Sequence, residues 1–93
     1  MPRYHFQQRA GERVVEDDEG GLFADLAEAR RYATVAAREI LAEAIRWGGR
    51  LPPESIAILD ADGREVAVVF IVEILPENIR TLLQQPALRE GTP

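Results

Sequence analysis

The stretch that decides the fold runs from Val66 to Leu75 and reads Val-Ala-Val-Val-Phe-Ile-Val-Glu-Ile-Leu. Successive side chains of a strand point to opposite faces of a sheet, so a half-exposed strand alternates apolar and polar residues. Here both sets of alternating positions are apolar. The stretch is too short to cross a bilayer as a helix, which needs about 20 apolar residues. It therefore predicts a strand that is covered on both faces.

A chain this small is expected to need help in covering both faces of that strand. One face carries Val66, Val68, Phe70, Val72 and Ile74, and the other carries Ala67, Val69 and Ile71. A long helix covers one face, and a short helix predicted at residues 77–85 offers only Ile79, Leu82 and Leu83 for the other. We therefore predict an interaction surface made of Ala67, Val69, Ile71, Ile79, Leu82 and Leu83, which a second copy or another protein would cover. The alternative is that the short helix folds back and covers the strand by itself.

The long helix is predicted at residues 25–47. Apolar residues, many of them Ala, recur there three and four positions apart, which places them on one side of a helix. Asp25 followed by Glu28 has the spacing of a capping box, and Gly48 is a typical residue just past a helix C-terminus. Trp47 is predicted to pack partly buried against the edge of the sheet; the alternative is a binding anchor.

Two hairpins flank this helix. Alternation at residues 3–8 and a short apolar run at 13–16 predict the first hairpin, and the segment 17–21 is interpreted as a loop. The second joins a strand at 55–59 to the apolar strand through Asp-Ala-Asp-Gly at 60–63, residues that a tight turn needs. The order β-β-α-β-β-α predicts an α+β fold: a mostly antiparallel four-stranded sheet with the long helix on one face and a short C-terminal helix. The strand order stays open.

Length and composition indicate one domain. The 93 residues are 46% hydrophobic and 29% charged, ordinary values for a globular protein. We assign residues 1–86 to a single α+β domain and 87–93 to a flexible C-terminal tail. The absence of cysteine excludes disulfides and thiolate sites. The N-terminus lacks the apolar core of a signal peptide, so we expect a cytoplasmic protein that does not insert into a membrane.

The charge balance argues against a nucleic-acid partner. All eleven basic residues are Arg, and the net charge is −5. Affinity for nucleic acid depends on neutralising phosphates and requires a basic patch. Such a patch could form locally from Arg3, Arg9 and Arg13 on the first hairpin. A nucleic-acid-associated regulator is therefore an alternative function.

Two acidic segments, Glu16–Glu19 and Asp60–Gly63, carry the carboxylates that Ca²⁺ and Mg²⁺ prefer. Neither has the alternating spacing of a calcium loop. We interpret both as solvated turns and predict no metal site, with cation binding by the first segment as a weaker alternative.

No catalytic pattern is recognisable. His5 is the only histidine and Ser55 the only serine, and Ser55 does not lie in a Gly-x-Ser-x-Gly elbow. The glycine pairs at 20–21 and 48–49 do not fit a phosphate-binding loop. We predict no catalytic residue, no cofactor and no enzymatic activity.

Four short motifs, taken in order, carry a family resemblance. They are Met-Pro-Arg-Tyr-His-Phe at 1–6, Asp18-Glu19-Gly20, Asp25-Leu26-x-x-Ala29-Arg30 and Asp60-x-Asp62-Gly63-Arg64. Over roughly residues 1–75 the chain resembles a family of small bacterial proteins catalogued as domain of unknown function 6894. The resemblance implies a stand-alone chain without an assigned activity, so no catalytic residue carries over. The chain departs from the family at His5, where many members have an aromatic residue, and in its longer apolar last strand.

These observations favour a small cytoplasmic protein-interaction module. We expect a homodimeric adaptor or regulator that pairs through the fourth strand and the C-terminal helix, or that binds an unidentified protein partner there.

Overall fold

The computed structural model describes residues 1–48 and 52–83, the side chains of Leu82 and Leu83 excepted. Over these residues the chain forms five strands, two α-helices and one 3₁₀ helix. In chain order they are β1 (Arg3–Ala10), β2 (Arg13–Val15), β3 (Gly21–Leu22), α1 (Leu26–Trp47), β4 (Ser55–Leu59), β5 (Glu65–Phe70), the 3₁₀ helix (Ile71–Ile74) and α2 (Glu77–Leu83). The predicted α+β fold is confirmed.

The sheet is antiparallel and has the strand order β2-β1-β4-β5. The two hairpins therefore meet through β1 and β4, and α1 is the connection that brings them side by side. β4 lies between two neighbours, so Ser55, Ile56, Ala57 and Ile58 are all buried. β2 and β5 form the two edges of this four-stranded path.

The predicted caps of α1 are present. Asp25 Oδ1 accepts a hydrogen bond from the backbone N–H of Glu28 at 2.9 Å. The Glu28 carboxylate reaches back to the N–H of Ala24 at 2.8 Å, one residue before the position that a strict capping box uses. At the other end Gly48 adopts a φ of 72° and donates to the Ala44 carbonyl at 2.9 Å. Local signals thus set both ends of this helix.

Alanine residues bring α1 close to the sheet. Ala29, Ala33 and Ala37 recur every fourth position and are fully buried. They form the core together with Ile56, Ile58, Val69 and Ile71. Because alanine has no side chain beyond Cβ, the helix backbone lies close above β4 and β5, and the larger strand residues fill the space between them.

Two tight turns connect the hairpins. Gly11 is the first residue of the two-residue turn between β1 and β2 and has a φ of 61°, as a type II′ turn requires. In the turn between β4 and β5, Asp60 Oδ1 accepts the N–H groups of Asp62 and Arg64, each at 2.9 Å. The predicted turn at 60–63 is confirmed.

A short strand was not predicted at Gly21–Leu22. β3 pairs with Arg3 and Tyr4 at the start of β1. Gly20 makes the approach possible, because it adopts a φ of 66° and lies against the Tyr4 carbonyl. Two residues are too few to show a strand pattern in the sequence. The segment becomes a strand because β1 supplies its hydrogen-bonding partners.

The prediction about which face of the apolar strand needs an outside cover is wrong. Val69 is registered opposite Ile56, and Ala67 opposite Ile58, so both lie on the face that α1 covers. The strand ends at Phe70 rather than Leu75, and the 3₁₀ helix carries Ile71 into the same core. Val69 and Ile71 are only 4% and 7% exposed. They are core residues of the single chain, because α1 docks on the face opposite to the one assumed.

The described part of the C-terminal helix does not cover the strand. In the described part of the chain α2 makes no extensive contact with another element, and Ile79 is exposed. The side chains of Leu82 and Leu83 lie outside the described residues, as do the predicted domain end at 86 and the tail 87–93. Among the described residues of this region, Val66, Phe70 and Val72 are also exposed apolar side chains.

Candidate functional site

The two ends of α1 are packed differently. Near its start, an aromatic cluster fills the space between α1 and β1: the ring of Tyr32 lies 5.1 Å from that of Phe6 and 5.3 Å from that of Phe23, measured between centroids. Beyond Ala37 no residue of α1 is buried within the described chain. Leu41 is still half-buried against the core, so only the last turns of the helix lie beside the first hairpin without closing onto it.

A groove with a volume of about 740 Å³ occupies this gap. Its helix wall is a single stripe at three- and four-residue spacing, made of Ile40, Glu43, Ala44 and Trp47. Its hairpin wall is made of Gln8 and Ala10 on β1 with their registered partners Val15 and Arg13 on β2. Cross-strand partners point to the same face, so these four side chains are presented together toward the helix. The volume lies in the range of ordinary ligand pockets.

The rim of the groove exposes large apolar side chains. Trp47 is 74% exposed and Val15 is 55% exposed. The expectation that Trp47 packs partly buried against the sheet is therefore wrong: β2 is only three residues long, and α1 is not closed onto it at this end. The alternative interpretation of Trp47, as a binding anchor, stays a prediction. Sequence reasoning missed the groove, although the apolar stripe continuing from Ile40 to Trp47 beyond the last buried alanine was a signal for it.

The groove also carries opposite charges on its two walls. Arg13 lies on the hairpin wall and Glu43 on the helix wall. Among the described residues the only ion pair joins Arg9 and Glu65, at 2.9 Å. Neither Arg13 nor Glu43 is thus neutralised within the described part of the chain, and both are solvent-exposed.

A family model described as a domain of unknown function (DUF6894) matches residues 3–72. The chain belongs to this family. The matched segment begins with β1 and ends inside the 3₁₀ helix, so it contains the whole sheet, α1 and the described groove residues. No curated protein and no solved structure matches the chain significantly.

The two acidic segments of this DUF6894 chain come together beside His5. His5, Asp17 and Asp60 are among the residues that line a small pocket of about 260 Å³. The His5 ring is held through Nδ1, which lies 3.0 Å from the Asp17 carbonyl oxygen. Asp17 Oδ1 in turn accepts the Gly20 N–H at 3.2 Å. Within residues 1–48 and 52–83 no group of three His, Asp or Glu side chains is placed to hold a metal ion.

The only serine and the only histidine are far apart in the DUF6894 fold. Ser55 is registered opposite Arg9, whereas His5 is registered opposite Leu59. Four residues of a strand span about 13 Å, so the Ser55 hydroxyl and the His5 ring cannot form a hydrogen bond. The sheet does not bring them together as a nucleophile and base.

The three arginines of the first hairpin do not form one basic patch. The Arg3 guanidinium donates to the Glu19 carbonyl at 2.8 Å. That of Arg9 is ion-paired with Glu65 on the uncovered face of the sheet. Arg13 lies on the opposite face, inside the groove. A phosphate backbone following one face of the sheet would therefore not meet all three.

In the described chain no helix is both long enough and apolar enough to span a membrane.

Proposed function

We propose that this DUF6894 protein is a small protein-interaction module without catalytic activity, which binds a protein partner through the groove between α1 and the first hairpin. The observation that carries the proposal is Trp47, 74% exposed at the rim of a groove whose hairpin wall exposes Val15. An exposed apolar surface next to a concave one is typical of a binding site. Trp is also enriched among the residues that contribute most to protein interfaces.

The free energy available from the groove supports a protein partner. Covering apolar surface contributes roughly 25 cal/mol per Å², and fully burying a Trp side chain removes on the order of 200 Å² from water. In helix-in-groove recognition, a helix of the partner places apolar side chains at positions i, i+4 and i+7 into such a groove. As an adaptor or regulator in the cytoplasm, the protein would act by presenting this groove to its partner.

The edge strand β5 offers a weaker surface. The sheet register shifts at Ile58 and Leu59, where β5 departs from regular pairing. The 3₁₀ helix begins directly after Phe70, and the Glu73 carboxylate accepts the Phe70 N–H at 3.2 Å. Bulges, short length and occupied backbone groups are the features that prevent an edge from pairing with another strand. The Phe70 N–H at the end of β5 is therefore already occupied by the chain itself.

Isolation of tagged protein under native conditions from the cells that produce it tests the proposal. Native mass spectrometry would report a complex with a second copy or another protein, and Trp47→Ala would reduce that complex at least tenfold. Ile45→Ala is the matched control, because Ile45 is 72% exposed on the same helix but does not line the groove. A bare monomer at every concentration, or a complex that Trp47→Ala leaves intact, would overturn the proposal.

A further inference from the structure

We infer that the partner seated in the groove is a second copy of this chain, in a two-fold dimer in which Arg13 of each copy pairs with Glu43 of the other. This inference rests on the proposed function, since it concerns the same groove. It adds the identity of the partner and the contacts that select it.

The charges of the groove make it complementary to itself. In a two-fold interface the same patch meets itself, so residue i of one copy contacts residue j of the other and the reverse. Among the described residues that line the groove, Arg13 and Glu43 are the two that carry a charge, and they lie on opposite walls. A two-fold axis through the groove would place Arg13 of each copy against Glu43 of the other, which makes two equivalent ion pairs.

The net charge of the chain makes this local balance necessary. At −5, two copies repel each other over most of their surfaces. Over its described lining residues the groove carries one positive and one negative charge, with apolar side chains between them. A strongly acidic or basic peptide would find only one of the two charges complementary and would face repulsion from the other.

The helix wall supplies the shape that fills the partner's groove. Ile40, Ala44 and Trp47 form one stripe on α1 that is a wall of its own groove; Ile40 and Ala44 are half-buried, and Trp47 is the exposed end of the stripe. A small residue at the centre, Ala44, allows two such helices to cross at close range. In an antiparallel crossing each Trp47 would lie over the partner's groove, against Val15 of the partner hairpin.

Charge reversal tests the inference on the full chain. Arg13→Glu or Glu43→Arg alone would place like charges against each other at both symmetric contacts and raise the dimer dissociation constant at least about tenfold. The double variant restores opposite charges with the signs exchanged, and its dissociation constant would return to within about threefold of that of the wild type. Sedimentation across a dilution series measures the constant. Because Trp47 is the only tryptophan, its emission maximum would shift to shorter wavelength as the dimer forms.

The controls are Arg38→Glu and Asp62→Arg, which make the same changes in net charge at exposed positions outside the groove. They would leave the dissociation constant within about twofold, and circular dichroism would show that every variant is folded. The inference is overturned if the wild type stays monomeric, if either reversal is without effect, or if the double variant is no tighter than the single ones. If a different protein binds and Trp47→Ala releases it while the chain alone stays monomeric, the inference fails and the proposed function stands. If a dimer forms and Trp47→Ala leaves it intact, both fail.

Discussion

The carboxylate of Glu54 accepts a hydrogen bond from the backbone N–H of Gly11 at 3.0 Å and so joins the entrance of β4 to the tip of the first hairpin. The backbone of Glu54 makes two further links. Its N–H donates to the Arg9 carbonyl at 2.7 Å, and its carbonyl accepts the Ile71 N–H at 2.9 Å. One residue therefore holds the hairpin wall of the groove to the centre of the sheet and to the 3₁₀ helix.

Removing the Glu54 carboxylate is expected to loosen that hairpin. Glu54→Ala would lower the free energy of unfolding by about 1 kcal/mol, the usual net worth of one hydrogen bond, while the backbone links remain. Urea denaturation measures the change. Glu12→Ala is the control, because Glu12 is an exposed residue of the same turn that makes no side-chain hydrogen bond to the described residues. Equal midpoints for the two variants would show that the carboxylate does not hold the hairpin.

Gly20 is expected to tolerate no side chain. Its φ is 66°, and a Cβ there would meet the Tyr4 carbonyl oxygen and lie 2.8 Å from His5 Nδ1. Gly63 also has a positive φ, of 84°, but open space around it. Gly63→Ala should cost about 1 kcal/mol from backbone strain alone, and Gly20→Ala at least about twice as much, because the clash with the backbone of β1 adds to the strain. Thermal unfolding of both variants tests the order, and similar melting temperatures would contradict it.

A charge is expected to destabilise the protein far more on one face of β5 than on the other. Val69→Asp places a carboxylate under α1, where no described residue offers it a partner, and the protein should fail to fold. Phe70→Asp places the same group on a side chain that is 48% exposed and should cost no more than about 1 kcal/mol. Circular dichroism and solubility distinguish the two. A folded Val69→Asp protein would mean that α1 does not cover this face.

The closeness of α1 to the sheet is expected to depend on its alanines. Ala33→Leu would force the helix away from the sheet and lower the free energy of unfolding by about 1–3 kcal/mol, since Ala33 is fully buried. Ala42→Leu adds the same atoms at an exposed position of the same helix and should be nearly neutral. Chemical denaturation compares them, and a neutral Ala33→Leu would contradict close packing at this point.

The elements that were predicted correctly depend on local signals. The cap at Asp25, the glycine at 48, the alternation in β1 and the turn at 60–63 each act within a few residues, so their effects can be read without knowing the rest of the fold. The family resemblance was carried by short motifs in the same regions, and the match over residues 3–72 confirms it.

What the sequence by itself determined is the class of fold, the extent of α1, the two turns and the apolar character of β5. What only the tertiary structure decided is which face of β5 lies under α1, that Trp47 is exposed, and that a groove carrying Arg13 and Glu43 opens beside it. The reason is physical: both faces of β5 are apolar, so its own pattern cannot select the face that the helix covers. That choice follows from the register between β4 and β5 and from the docking of α1, which join residues far apart in the chain.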